Sequence, residues 1–171
     1  MRRVVGALAA LVLLAAAVLG WLVAREPADG SAEDLSAADS GAAFVASAEV
    51  GDEVVAAAEE AAARVYTYSW RTLSDDRAAA RQLLVAPVVD RYDRTMAGLA
   101  PGARRDHRVV TATVAGSGVV HAATTYARVL VFVNQRTTAD DLDEPRTDLD
   151  RVLVTLTRVD GLWRVSELDA L

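Results

Sequence analysis

An unbroken apolar run from Val4 to Ala24, entered through Arg2 and Arg3 and left through Arg25 and Glu26, divides this chain before anything else can be said of its fold. At about 1.5 Å per residue the run makes a helix of about 31 Å, close to the thickness of a hydrocarbon core. Leucine and valine supply about half of it, and each favours insertion by about 0.3 to 0.6 kcal/mol. Residues 4–24 are therefore expected to be a transmembrane anchor surrounded by membrane lipid. A cleavable signal peptide is the competing reading. Its apolar region spans about 7 to 15 residues and ends in small residues, whereas this run is longer and ends in Leu22-Val23-Ala24. No cysteine follows the run, so a lipoprotein is excluded, and Arg2-Arg3 lack the rest of a twin-arginine signal. The positive end of a signal anchor stays inside. Residues 1–3 are expected in the cytoplasm, and everything after the run outside it. Ala16, Gly20 and Ala24 recur four apart, a spacing that lets helices pack closely in lipid, although alanine is common throughout the chain. Trp21 suits the interfacial belt.

Beyond the anchor the charge is uneven. Arg25 to Glu60 holds one arginine against ten acidic residues, while the remainder is nearly balanced, within an overall net charge of −6. Residues 25–42 mix Ala, Ser, Asp and Gly and read as a flexible acidic linker. Anionic headgroups repel such a stalk, which would hold a domain off the bilayer. No basic stripe with interleaved aromatics occurs, so nucleic acid is not an expected partner. All 18 basic residues are arginine, which reflects a GC-rich coding bias more than chemistry. The absence of cysteine excludes disulfides, thiolate metal sites and cysteine nucleophiles.

Residues 43–171 are long enough for one extracytoplasmic domain with its own core. The spacing of Val54, Ala58, Ala62, Val65 and Ser69 predicts a helix between about Ala43 and Trp70. Ser74-Asp75-Asp76 is expected to open a second helix, capped by Ser74, with Ala78, Leu83 and Leu84 as its apolar members. Pro87 is expected to start a third, with Val88, Val89, Tyr92, Met96 and Leu99 on one side and Pro101-Gly102 as its stop. The remainder is β. Residues 107–120 form a strand in which Gly116-Ser117-Gly118 suits a bulge or a turn. Residues 124–136 form the next, centred on Leu130-Val131-Phe132-Val133. Residues 137–148 read as an acidic loop. Residues 149–159 alternate, with Val152, Val154 and Leu156 on one face and Thr155 and Thr157 on the other. Asp160-Gly161 is a hairpin signal, and Leu162 to Leu168 returns beside it with Leu162 and Val165 to bury. The expected class is α+β: about three helices on a bent antiparallel sheet of about four strands.

Several segments then resemble a known family. Tyr66-Thr67-Tyr68-Ser69-Trp70-Arg71-Thr72-Leu73, with Leu83-Leu84, resembles a recurring segment of the Mce-associated membrane proteins, where Mce stands for mammalian cell entry, the name of actinobacterial lipid-import systems. Val131-Phe132-Val133-Asn134-Gln135-Arg136-Thr137-Thr138 is similar to that family's middle strand. Pro145-Arg146, Arg151-Val152 and Val159-Asp160-Gly161-Leu162-Trp163-Arg164-Val165-Ser166-Glu167-Leu168 are similar to its C-terminal hairpin. The resemblance covers the anchor and residues 54–171. It implies a nuclear transport factor 2-like cone, and a non-enzymatic accessory or scaffold role beside Mce-type substrate-binding subunits or their permease. The linker departs from the family in length and acidity.

Residues that could carry chemistry are few. Tyr66, Tyr68, Tyr92, Asp93 and His121 are candidates to face a cavity, but no pair among them forms a proton-transfer motif. His107 and His121 stand at no ligand spacing. Asp140-Asp141-Leu142-Asp143-Glu144 lacks the glycine and spacing of a calcium loop, and Gly116-Ser117-Gly118 is not followed by a helix, as a phosphate loop requires. No catalytic, cofactor-binding or metal-binding residue is therefore assigned, and no cofactor is expected. Three functions stay open: a membrane-anchored scaffold of a lipid-import complex or of another envelope secretion machine; a binding module holding an apolar ligand in the cone; and an isomerase or dehydratase using Asp93. Trp163 is expected either in the core or, if exposed, at an interface.

Overall fold

Ser47 begins the described part of the chain. The computed structural model describes residues 47–171. The expectations for residues 1–3, 4–24 and 25–42, and for the helix before Ser47, lie outside the described residues. Among the described residues, no helix is long and apolar enough to cross a membrane.

Helix α1 (Ala48–Tyr66) starts where extended Ser47 accepts a hydrogen bond from the Val50 amide at 3.1 Å, a cap worth about 1 kcal/mol. Its buried stripe, Val54, Ala58, Ala61, Ala62 and Val65, is mostly alanine, so the helix axis can lie close to the sheet. The helix was expected to reach Trp70 but stops at Tyr66. Tyr68–Ser69 instead forms a short strand, β1, antiparallel to β2 (Val109–Ala122) through Tyr68↔Val110 and Ser69↔Val109. Flanking bonds hold it there: Ala112 N–H donates to Thr67 Oγ1 and Trp70 N–H to the Arg108 carbonyl, each at 3.0 Å. Thr67, Tyr68 and Trp70 are strand formers, and a paired edge outweighs one more helical turn. The sheet therefore has five strands where about four were expected.

Helix α2 (Leu73–Arg81) begins two residues before the expected position, with Thr72 in place of Ser74 at the cap. Asp76 organises this start, accepting from the Ser69 amide at 2.9 Å and the Thr72 hydroxyl at 2.8 Å, while Ser74 donates to Asp75. Ala78 is exposed, and Leu73 and Ala80 are the buried members. Leu83 and Leu84 lie past the helix end, where Val165 N–H donates to the Leu83 carbonyl and Val85 N–H to the Val165 carbonyl. This parallel bridge covers part of the outer edge of the last strand.

Helix α3 (Ala86–Arg105) has Pro87 in its first turn and buries Val88, Tyr92 and Met96, with Val89 half-buried. Leu99 is exposed, against expectation. Pro101-Gly102 does not end the helix, which continues to Arg105. Proline forfeits one backbone bond, but the extra turn buries Ala103 and is held by Asp106 N–H to the Gly102 carbonyl and Arg108 N–H to the Ala103 carbonyl.

Strands β2, β3 (Tyr126–Thr138), β4 (Arg146–Val159) and β5 (Leu162–Ala170) follow as an antiparallel meander, and the sheet order is β1-β2-β3-β4-β5. Gly116-Ser117-Gly118 stays inside β2, paired to Phe132, Val131 and Leu130, with register shifts at Val114/Gly116 and Val119/His121. Of the two readings of those glycines, the bulge is the one found. The acidic loop narrows to residues 139–145, because Thr137 and Thr138 pair with β2 and Arg146 and Asp148 with β3. Val129, Val131 and Val133 of β3 and Val152, Val154 and Leu156 of β4 are the buried face. Phe132 and Leu149 are exposed on the opposite one. Thr155, expected on the face opposite Val154 and Leu156, is buried beside the register shift at Thr155/Leu156, and its carbonyl accepts from Ser166 Oγ. Leu162, expected in the core, is 55% exposed, whereas Val165 is fully buried. Trp163 is half-buried, donating Nε1–H to Glu53 Oε2 at 3.0 Å under the Arg158 guanidinium.

Asp160 and Gly161 have φ of +51° and +79°, the backbone of a type I′ turn. A Cβ on Gly161 would meet nothing within 4 Å, so the cost of replacing it is conformational. Gly161→Val is expected to destabilise the domain by about 1 to 3 kcal/mol, and Gly161→Asn by much less, because asparagine tolerates the left-handed region. Thermal melts check this, and a wild-type melting temperature for Gly161→Val would remove the turn assignment.

Candidate functional site: a cleft between helix α3 and the sheet

The buried stripe of α3 does not close fully on the strands. A cavity of about 660 Å³ remains, with Val65, Val88, Met96, Val110 and Leu168 among its lining residues. Three of the five sequence candidates meet there: Tyr66 from the last turn of α1, Tyr68 from β1 and Tyr92 from α3. Burial raises the pKa of all three phenols. For Tyr92, burial, then Asp76 and Asp93, push it up to about 12; for Tyr66, Asp150 adds to burial. They are therefore neutral hydrogen-bonding groups near pH 7. The Tyr92 hydroxyl is buried without a protein hydrogen-bond partner.

Charged and polar side chains sequence reasoning did not single out also line the cleft: Arg91, Arg108, Gln135, Arg146, Asp148 and Asp150. Most are engaged. Arg108 bonds Asp141 at 3.0 Å, Arg146 bonds Asp148 at 2.8 Å, and Gln135 Nε2 donates to Asp150. One signal could have found part of this set. Arg146, Asp148 and Asp150 alternate along one strand, and residues two apart share a face.

Asp93 and His121 do not join the cleft. Asp93 is held by Arg77 at 2.7 Å and Arg81 at 3.2 Å, and the Arg77 hydrogen bond keeps its carboxyl below the usual aspartate range. A proton-abstracting base needs the opposite shift. His121 lies on β2 with its ring 5.9 Å from that of Tyr126. His107 adopts φ +46°, packs its ring tilted against that of Trp70 with centroids 4.3 Å apart, and bonds Asp140 through Nδ1 at 2.6 Å. Asp140 and Asp141 thus pin the acidic loop to His107 and Arg108. Among the described residues, no group of three or more His, Asp or Glu is placed to hold a metal.

The Asp93 pair has a pH signature. A carboxylate with a lowered folded pKa stabilises above its unfolded value, about 3.9, and loses that contribution as pH falls through the folded one. Asp93→Asn is expected to melt below wild type at pH 7, and the gap should narrow as pH falls below the ordinary aspartate range and the Asp93 carboxylate takes up its proton. A gap unchanged at low pH would show that the ion pair contributes nothing.

No family model matches the chain. A protein named outer membrane protein Rv1973, of Mycobacterium tuberculosis, is 33% identical over 118 residues, covering 68% of this chain and 73% of that protein. The chain belongs to its family. Rv1362c of the same organism is 34% identical over 158 residues, covering 92% of this chain. The chain spans 66% of the length of that relative. Among solved structures, an IcmL-like type IV secretion system protein from Legionella pneumophila superposes with a TM-score of 0.60 at 12% identity, covering 70% of this chain and 91% of that one. VirB8 from Agrobacterium tumefaciens gives 0.58 at 11% identity, covering 72% and 92%. The fold is therefore the nuclear transport factor 2-like α+β fold of these domains: helices packed on a five-stranded antiparallel sheet.

Proposed function

We propose that the protein is a non-enzymatic, membrane-anchored accessory or scaffold subunit of an Mce-type lipid or sterol import complex in the cell envelope. In this reading residues 1–3 are cytoplasmic, residues 4–24 cross the cell membrane, residues 25–42 are the acidic linker and residues 43–171 form the extracytoplasmic domain. The carrying observation is the fold, one also found in proteins of type IV secretion systems, joined to an apolar run long enough to span a bilayer. The Mce assignment rests on the motif resemblance over residues 54–171, and the partners it names are Mce-type substrate-binding subunits or their permease. Against an isomerase stands Asp93, ion-paired to Arg77 and Arg81 and absent from the lining of the cleft. The secretion-system likeness favours one second reading, a scaffold of another envelope machine.

A scaffold needs a surface for its partner. The open sheet face offers one: Phe132 and Leu149 are 42% and 80% exposed, and Gly116 beside Phe132 carries no side chain to cover it. The orientation is tested by labelling. The chain has no cysteine, so Asp143→Cys, in the exposed acidic loop, introduces a single thiol. It is expected to react with a membrane-impermeant maleimide on spheroplasts. Protection until lysis would place the domain in the cytoplasm and overturn the reading.

A further inference from the structure

The cleft is shaped and charged for a ligand that none of the comparisons names. Its α3 wall runs from Val88 through Tyr92 and Met96 to Leu99, a length of about 16 Å at about 1.5 Å per residue, which suits an extended chain better than a compact ring. Its volume of about 660 Å³ falls within the range of small-molecule sites, about 300 to 1,000 Å³. Val65, Val88, Met96, Val110 and Leu168 make much of the lining apolar, and Tyr92 stands among them. Tyr92 is only 8% exposed, and its hydroxyl meets no hydrogen-bond partner in the protein, whereas buried hydroxyls ordinarily have one.

Charge then selects the head group. Arg108 and Arg146 are neutralised by Asp141 and Asp148, and Asp150 accepts from Gln135. Around Tyr66 the field is mixed, with Asp150 and Asp169 opposing Arg91. An anionic head could meet Arg91 only beside those two carboxylates, and a cationic head could meet the carboxylates only beside Arg91, so a charged head of either sign gives up its hydration to a field of mixed sign. A neutral head avoids that cost.

We propose that the cleft binds an uncharged single-chain amphiphile, its alkyl chain along Val88, Met96, Val110 and Leu168 and the hydroxyl or carbonyl oxygen of its head hydrogen-bonded by Tyr92. This holds whichever envelope complex the chain serves. The test uses the full-length protein in zwitterionic nanodiscs and three photoreactive probes with one shared diazirine-bearing alkyl chain: hexadecanol, hexadecyl sulfate and hexadecyltrimethylammonium. The expected result is hexadecanol adducts on peptides spanning residues 88–99 and 109–111, displaced by unlabelled hexadecanol and at least about fivefold stronger than those of either charged probe, roughly the worth of one hydrogen bond. Thr95→Trp, at an exposed lining position, should block these adducts. Tyr92→Phe should weaken them about fivefold with no loss of melting temperature, since it removes a buried hydroxyl that has no protein partner. Equal or stronger labelling of the same peptides by a charged probe would overturn the charge argument. Adducts confined to residues 4–24, or unchanged in Thr95→Trp, would overturn the site.

Discussion

Leu156→Ala is expected to cost the domain about 2 to 5 kcal/mol. Leu156 is the largest of the fully buried side chains, 1% exposed. It sits in β4 opposite Ala127 of β3 and Val165 of β5, beneath α1. The register shift at Thr155/Leu156 fixes the local backbone, so the strands cannot collapse into the space left behind. For a domain of this size a loss of that order lowers the melting temperature by about 10 °C or more. Leu149→Ala, on the same strand but 80% exposed, is the matched control and should shift stability by less than about 0.5 kcal/mol. Circular-dichroism melts of the two variants decide the matter. Similar small shifts in both would mean that the buried face of β4 is not the core.

The second large effect concerns association rather than stability. In the double variant Phe132→Asp with Leu149→Asp, both charges enter a face already in water, so the melting temperature should stay within about 2 °C of wild type. If that face meets a partner, the same charges are driven into an apolar contact, and exposed aromatics of this kind often dominate binding. Recovery of the partner should fall about tenfold or more, the effect of about 1.4 kcal/mol. Unchanged recovery with unchanged stability would move the interface elsewhere. A collapse of stability would show that the face is structural.

The legibility of this chain follows from how local each feature is. Val152, Val154 and Leu156 could be read as one buried face because alternation is a property of adjacent residues, and the Asp160-Gly161 turn because its two dihedrals are set by two residues. The ends of α1 and α3 could not. Strand β1 exists because Tyr68 and Ser69 find Val110 and Val109 some forty residues away, and α3 passes Pro101 because Ala103 has a core to enter. The exposure of Leu162 has the same origin, since the hairpin turns its first residue outward and only Val165 reaches the interior. At the cleft, the tyrosines could be nominated by residue type and helix face. The rim could not, because Gln135 and Asp150 meet only through the β3 to β4 register. Asp93 misled because its partners, Arg77 and Arg81, lie on another helix.

The central claim is that this domain works as an anchored subunit of a lipid-import assembly. The most direct measurement is mass spectrometry of the tagged, full-length protein purified in mild detergent from its native membrane. The account predicts recovery of Mce-type substrate-binding subunits or their permease. Recovery of secretion-system components in their place, or of the protein with no envelope partner at all, would contradict it.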